Sequence, residues 1–207
     1  AAAPSASLFS GIFIFAVVIF LKDKSNRSLF LVAVLASFAI QFRPESILIL
    51  LIALINIIIF TPAELKRIRI YAAGLFFLAL SFAYAIHLLV TSGSNWGTTA
   101  PTFSIDYFLN NFTVNSLYYL DNLKFPIFIT LLFLISFFSK SFFKEKTLLA
   151  IWFLCFWGIF LFFYAGSYGY GADVRYSLVS YIPMAILAGS GVYKLQSFIK
   201  NLPTLKF

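Results

Sequence analysis

Two short segments hold the residue types that could bind an anion. Arg43-Pro44-Glu45 places an arginine and a carboxylate on either side of a proline, between two apolar runs. A guanidinium there could grip a phosphate through two parallel hydrogen bonds. The same spacing fits a structural pair equally well, with Arg43 holding the turn through Glu45 or a backbone carbonyl. The second segment, residues 166–176, reads Gly-Ser-Tyr-Gly-Tyr-Gly-Ala-Asp-Val-Arg-Tyr. Its glycines let backbone approach a ligand and its tyrosines offer stacking faces for a sugar. Arg175 opens the next helix, where an anion would meet both its charge and free backbone N–H groups. An interfacial turn with an ordinary aromatic belt would look the same.

Other polar residues are less specific. His87 is the lone histidine; a metal site needs several ligands, so His87 reads as a hydrogen-bonded interfacial residue. Asp106 and Asp121 have no catalytic partner in sequence and read as solvated loop carboxylates. Asn111-Phe112-Thr113 and Asn26-Arg27-Ser28 spell glycosylation sequons, the first on the expected outer side and the second on the inner. Cys155, the single cysteine, sits in an apolar run and reads as a small core residue. No Ser-His-Asp pattern, phosphate-cradling Gly-Lys-Ser/Thr loop or metal-spaced cluster is present in the sequence.

The elements that must position these residues are apolar. Hydrophobic residues make up 62% of the 207-residue chain and charged ones 11%, far from the soluble range of about half and about a quarter. The formal charge of +8 does not indicate nucleic acid, because the basic residues fall in short clusters at helix ends and not on one face. The clusters are Lys22, Lys24, Arg27; Lys66, Arg67, Arg69; Lys140, Lys144, Lys146; and Lys194, Lys200, Lys206. Basic residues resist translocation, so all four belong on the inner side. The other three cations, Arg43, Lys124 and Arg175, then lie outside, near Glu45, Asp121 and Asp173.

Seven apolar stretches result: 7–21, 29–42, 46–60, 68–90, 125–138, 148–165 and 178–195. The expected fold is all-α, a polytopic helical membrane protein with about seven membrane helices, some short, in a single transmembrane domain over 1–207. Pro44 favours two helices meeting at a turn over one long kinked helix, which would bury Arg43 and Glu45 in mid-bilayer. Residues 91–124 read as an outer loop with an amphipathic interfacial helix, since Ile105, Phe108, Leu109, Phe112, Leu117, Tyr118 and Leu120 recur at roughly helical spacing. Loops 91–124 and 166–177 are expected to be extracytoplasmic, in a multi-pass plasma-membrane protein. The chain begins without Met or a basic leader region and reads as a fragment preceded by at least one further crossing.

Arg43-Pro44-Glu45 resembles the turn after a membrane helix in the polytopic GT-C glycosyltransferases. Tyr170-Gly-Ala-Asp-Val-Arg-Tyr176, followed by Tyr181-Ile-Pro183 and the small-residue stretch 185–191, is similar to a late segment of their family-39-like members, relatives of protein mannosyltransferases and aminoarabinose transferases. The resemblance implies transfer of a sugar from a polyprenyl-phosphate donor to an acceptor on the extracytoplasmic side. It implies donor binding by Arg43, Arg175 and Tyr176 at one shared site, with Glu45 and Asp173 orienting. The catalytic carboxylate is expected upstream of residue 1, in a missing N-terminal half, so the fragment alone would be inactive. The resemblance leaves a divalent metal open for the whole enzyme and assigns no metal ligand here. A transporter or flippase subunit, with Arg43 and Arg175 lining a path for an anionic lipid, is the alternative reading, and a purely structural membrane subunit a third.

Overall fold

The computed structural model describes residues 2–91, 101–139, 141–169 and 175–200. Their regular structure is helical: α1 (Ala2–Asp23), α2 (Asn26–Phe42), α3 (Leu48–Phe60), α4 (Ile68–Thr91), α5 (Phe108–Tyr118), α6 (Ile127–Ser136), α7 (Phe143–Leu161) and α8 (Ser177–Lys200). Three are long and apolar enough to cross a membrane, over Pro4–Asp23, Ile68–Thr91 and Ser177–Lys200. Asn26–Phe42, Pro44–Phe60 and Ile127–Ser136 are apolar but shorter. The contacts divide the chain into two compact units, Ala1–Ile105 with Phe162–Tyr164, and Asp106–Leu161 with Ala165–Phe207.

In the first unit α1 packs along α2. Ala6, Ser10, Phe13, Val17 and Phe20 form a fully buried stripe on α1 at alternating spacings of four and three, the pattern that keeps one face of a helix against a neighbour. Leu29, Ala33, Ala36 and Ile40 make the same pattern on α2. The helices are joined tightly because Lys24 adopts a left-handed backbone (φ 51°) and Ser25 caps α2, its Oγ accepting from Ser28 N at 3.1 Å. The Asp23 carboxylate secures the turn by accepting from Ser25 N at 2.9 Å and Ser28 Oγ at 2.7 Å.

The helix breaks where Pro44 demands it. Arg43 is extended (φ −152°, ψ 125°), the conformation favoured before proline, and a 3-10 turn, Pro44–Ile47, leads into α3. The chain does not run on as one long kinked helix. On α4 only Ala73 and Ser81 are buried, leaving Leu75, Phe82 and Val90 exposed at 70%, 65% and 78%. Residues 102–104 meet 162–164 through one isolated antiparallel bridge, Phe103 with Phe163.

In the second unit α6 and α8 pack closely, and α8 also packs on α7. The close approach falls at Gly191, where any Cβ would overlap the Leu132 carbonyl. The α6 C-terminus ends on the buried Lys146, whose Nζ donates to Ser136 O at 2.8 Å and Ser139 O at 2.9 Å. A cation there satisfies carbonyls that the helix end leaves without partners. In the same unit, α5 packs on α7.

Candidate functional site

Arg43 and Glu45 are brought together. Arg43 Nη2 lies 2.5 Å from Glu45 Oε1, and both side chains are largely buried. The extended backbone at Arg43 and the 3-10 turn after it fold the carboxylate back onto the guanidinium. The arrangement is that of a turn-holding ion pair, in which much of the arginine's charge is already compensated within the turn. Lys124 likewise meets Asp121, at 3.5 Å between exposed side chains.

Arg175 and Tyr176 belong to the second unit, just before α8. Arg175 is exposed, and its guanidinium carbon sits 5.3 Å from the centroid of the Tyr176 ring, within cation–π range. Tyr176 is buried, its ring centroid 4.6 Å from that of Phe160. The tyrosine face expected to meet a sugar is therefore packed against α7 and supports the arginine. Asp173, the expected orienting carboxylate, lies outside the described residues.

The surroundings are built by α5, and the sequence pattern leaves open which of its faces meets the protein. Leu109, Phe112 and Leu117 point outward, while Asn111, Asn115 and Tyr118 are buried. Asn111 Nδ2 donates to the carbonyls of Phe160 and Leu161 at 3.1 and 3.2 Å. Asn115 Nδ2 donates to Gly166 O at 2.9 Å and its Oδ1 accepts from Tyr168 N at 2.7 Å. The two amides thus satisfy backbone groups at the end of α7 and in the turn after it, where no helix ladder can. The Asn111 sequon reading falls with this, since the side-chain amide is committed and 2% exposed.

Behind the turn lies an aromatic cluster. Tyr118 packs edge-on against Tyr119 and Tyr168 at 5.2 and 5.4 Å, and Tyr119 against Phe125 at 5.1 Å. The Tyr119 and Tyr168 hydroxyls and Ser180 Oγ are buried together and interact with one another. Burial pushes both phenols above the usual tyrosine range, and the neighbouring Tyr168 adds to the rise at Tyr119.

A second charged cluster, centred on Glu64, lies in the first unit. Glu64 is 2% exposed and accepts from the Arg69 fork, with Nε at 3.2 Å and Nη2 also engaged, while Arg67 Nε lies 3.5 Å away. Arg69 Nη1 continues to Lys24 O at 2.6 Å and Asn26 Oδ1 at 3.3 Å. Arg69 therefore ties the start of α4 to the α1–α2 turn as well as adding to a basic cluster. The carboxylate among basic residues in Pro62-Ala-Glu-Leu-Lys-Arg-Ile-Arg69 was the available signal.

The remaining candidates are undistinguished. The His87 ring is exposed, 6.4 Å from that of Tyr84, and Cys155 is half-buried. Among the described residues no group of three or more His, Cys, Asp or Glu could hold a metal ion. Compared with protein-family models, curated proteins and solved structures, the chain matches none.

Proposed function

We propose that the chain is an integral membrane protein whose seven apolar stretches cross the bilayer, some as short helices. In this reading it forms part of a glycosyltransferase that uses a polyprenyl-phosphate sugar donor on the extracytoplasmic side. The membrane reading is supported by α4, an apolar helix exposed on nearly every face, which is stable only where the surroundings are also apolar. The choice of sugar transfer rests on the Arg-Tyr segment and its resemblance to family-39-like enzymes.

The observation that carries donor binding is the exposed Arg175 guanidinium, seated on a buried Tyr176 ring beside the first residues of α8. A cation held there, at the positive end of the helix dipole, suits a lipid-linked phosphate as charge develops on it. Tyr176 acts as a positioning residue. Arg43 contributes less, because Glu45 offsets its charge, and the acid–base chemistry comes from residues outside this chain.

The test is binding of a polyprenyl phosphate, against the matching polyprenol, to the purified chain in detergent. The phosphate should bind more tightly, and Arg175→Gln should weaken it about tenfold or more, as for loss of one charge-assisted hydrogen bond. Equal binding of phosphate and alcohol, or an unaffected Arg175→Gln variant, overturns the reading. Transbilayer movement of the lipid by the chain in vesicles would point to a flippase instead.

A further inference from the structure

A groove of ≈ 460 Å³ lies at the lysine-rich end of the second unit, lined by Phe138, Ser139, Ser141, Tyr193, Lys194 and Ser197. A smaller hollow of ≈ 190 Å³ shares Tyr193 and Ser197 and extends to Lys200. The lining contains hydroxyls, a cation and aromatic surface, but no carboxylate. Lys194 is half-buried and makes no ion pair among the described residues.

The nearby charge is also positive. Lys146 already directs its ammonium at two α6 carbonyls, and burial, with Lys194 beside it, holds its pKa below the usual lysine range. Among the described residues neither cation forms an ion pair, and Glu145, which precedes Lys146, does not line the groove, so the groove itself is electropositive. Its edges are Phe138 and Tyr193, exposed at 78% and 65%, side chains that suit the boundary between headgroups and hydrocarbon.

Position along α8 indicates the kind of anion. At 1.5 Å per residue, Lys194 stands about 28 Å along the helix direction from Arg175, close to the roughly 30 Å of a bilayer core. If Arg175 lies at one headgroup layer, Lys194 lies at the other. We propose that this groove binds the phosphate of an anionic phospholipid, with Lys194 as its cation, the hydroxyls of Ser139, Ser141 and Ser197 as donors, and Phe138 and Tyr193 against the glycerol and upper acyl chain. The site rests on the membrane reading and is independent of sugar transfer.

The experiment measures thermal protection of the purified full chain in neutral detergent by phosphatidylglycerol, phosphatidylcholine or inorganic phosphate. Phosphatidylglycerol should protect most. Lys194→Gln should weaken its binding about fivefold, the effect of one lysine at a charged membrane surface, while Lys194→Arg and the distant Lys124→Gln retain it. Each unliganded variant's own melting temperature is the baseline, so a loss of folding is not mistaken for a loss of binding. Equal protection by phosphatidylcholine, unchanged binding in Lys194→Gln, or equal protection by inorganic phosphate overturns the proposal, the last identifying a soluble-anion site. None of these outcomes bears on polyprenyl-phosphate binding at Arg175.

Discussion

Gly191 of α8 presses against the backbone of Leu132 in α6: a Cβ on the glycine would stand 2.7 Å from the Leu132 carbonyl carbon and closer still to its oxygen. Small residues permit such contact between helices where dispersion, and not water, drives association. Nothing stands within 4 Å of a Cβ built on Gly189. Gly191→Ala should therefore destabilise by about 1 to 3 kcal/mol through overpacking, and Gly189→Ala should be neutral or slightly stabilising. Thermal unfolding in detergent micelles compares the two, and equal effects would refute the close contact.

Asn115 joins α5 to the turn at 166–168 with two hydrogen bonds made by one amide. Asn115→Leu keeps much of the volume but leaves Gly166 O and Tyr168 N without it. A loss of about 2 to 4 kcal/mol is expected, 1 to 2 for each buried backbone group. Proteolysis within 166–176 should accelerate well before the rest of the chain is cut. Uniform sensitivity along the chain would contradict a local role.

The Glu64–Arg69 pair predicts an asymmetric double-mutant cycle. Arg69→Met alone leaves a nearly buried carboxylate with only the more exposed Arg67 beside it, and should cost about 3 to 5 kcal/mol. The double variant Glu64→Leu with Arg69→Met should recover much of that loss, because no buried charge remains. Additive losses in melting experiments would mean that the two side chains act independently.

Tyr119 and Tyr168 give the second unit an alkaline limit. Their folded-state pKa values lie above the ordinary value of 10.0, so the unfolded chain releases these protons first. Their contribution is complete below about pH 10 and is lost as pH rises through the folded values. Melting temperature should fall in that range, and Tyr119→Phe with Tyr168→Phe should flatten the decline. At neutral pH, Tyr168→Phe alone should cost no more than about 1 kcal/mol, the net worth of one buried hydroxyl's interaction with Tyr119 and Ser180. A matching alkaline decline in the double variant, followed by tyrosinate absorbance, would rule the two phenols out.

The break at Arg43 was legible because a proline constrains its own backbone and that of its neighbour, whatever surrounds them. The position of α5 was legible too, but its facing was not. Periodicity reports that a helix has two faces without saying which one meets protein, and here Leu109 and Phe112 face out while Asn111 and Asn115 face in. Arg69 read as one of several basic residues because its hydrogen bonds to Lys24 O and Asn26 span 45 and 43 positions, a separation no local pattern encodes. Gly191 could not be told from Gly189 within the small-residue stretch, because the difference lies in the register of α8 against α6.

The partners of Asn115 lie 51 and 53 positions downstream. As the chain is made, α5 leaves the ribosome well before the turn that satisfies its amides exists. Until α7 and that turn arrive, the amides of Asn111 and Asn115 must find their hydrogen bonds in water or another polar medium. On the proposed membrane reading, the segment would be held at the membrane surface by its own two faces and would lock only after α7 and the turn had followed. A pause or stall in synthesis between 118 and 168 would leave α5 made but without the backbone groups that its asparagines close upon.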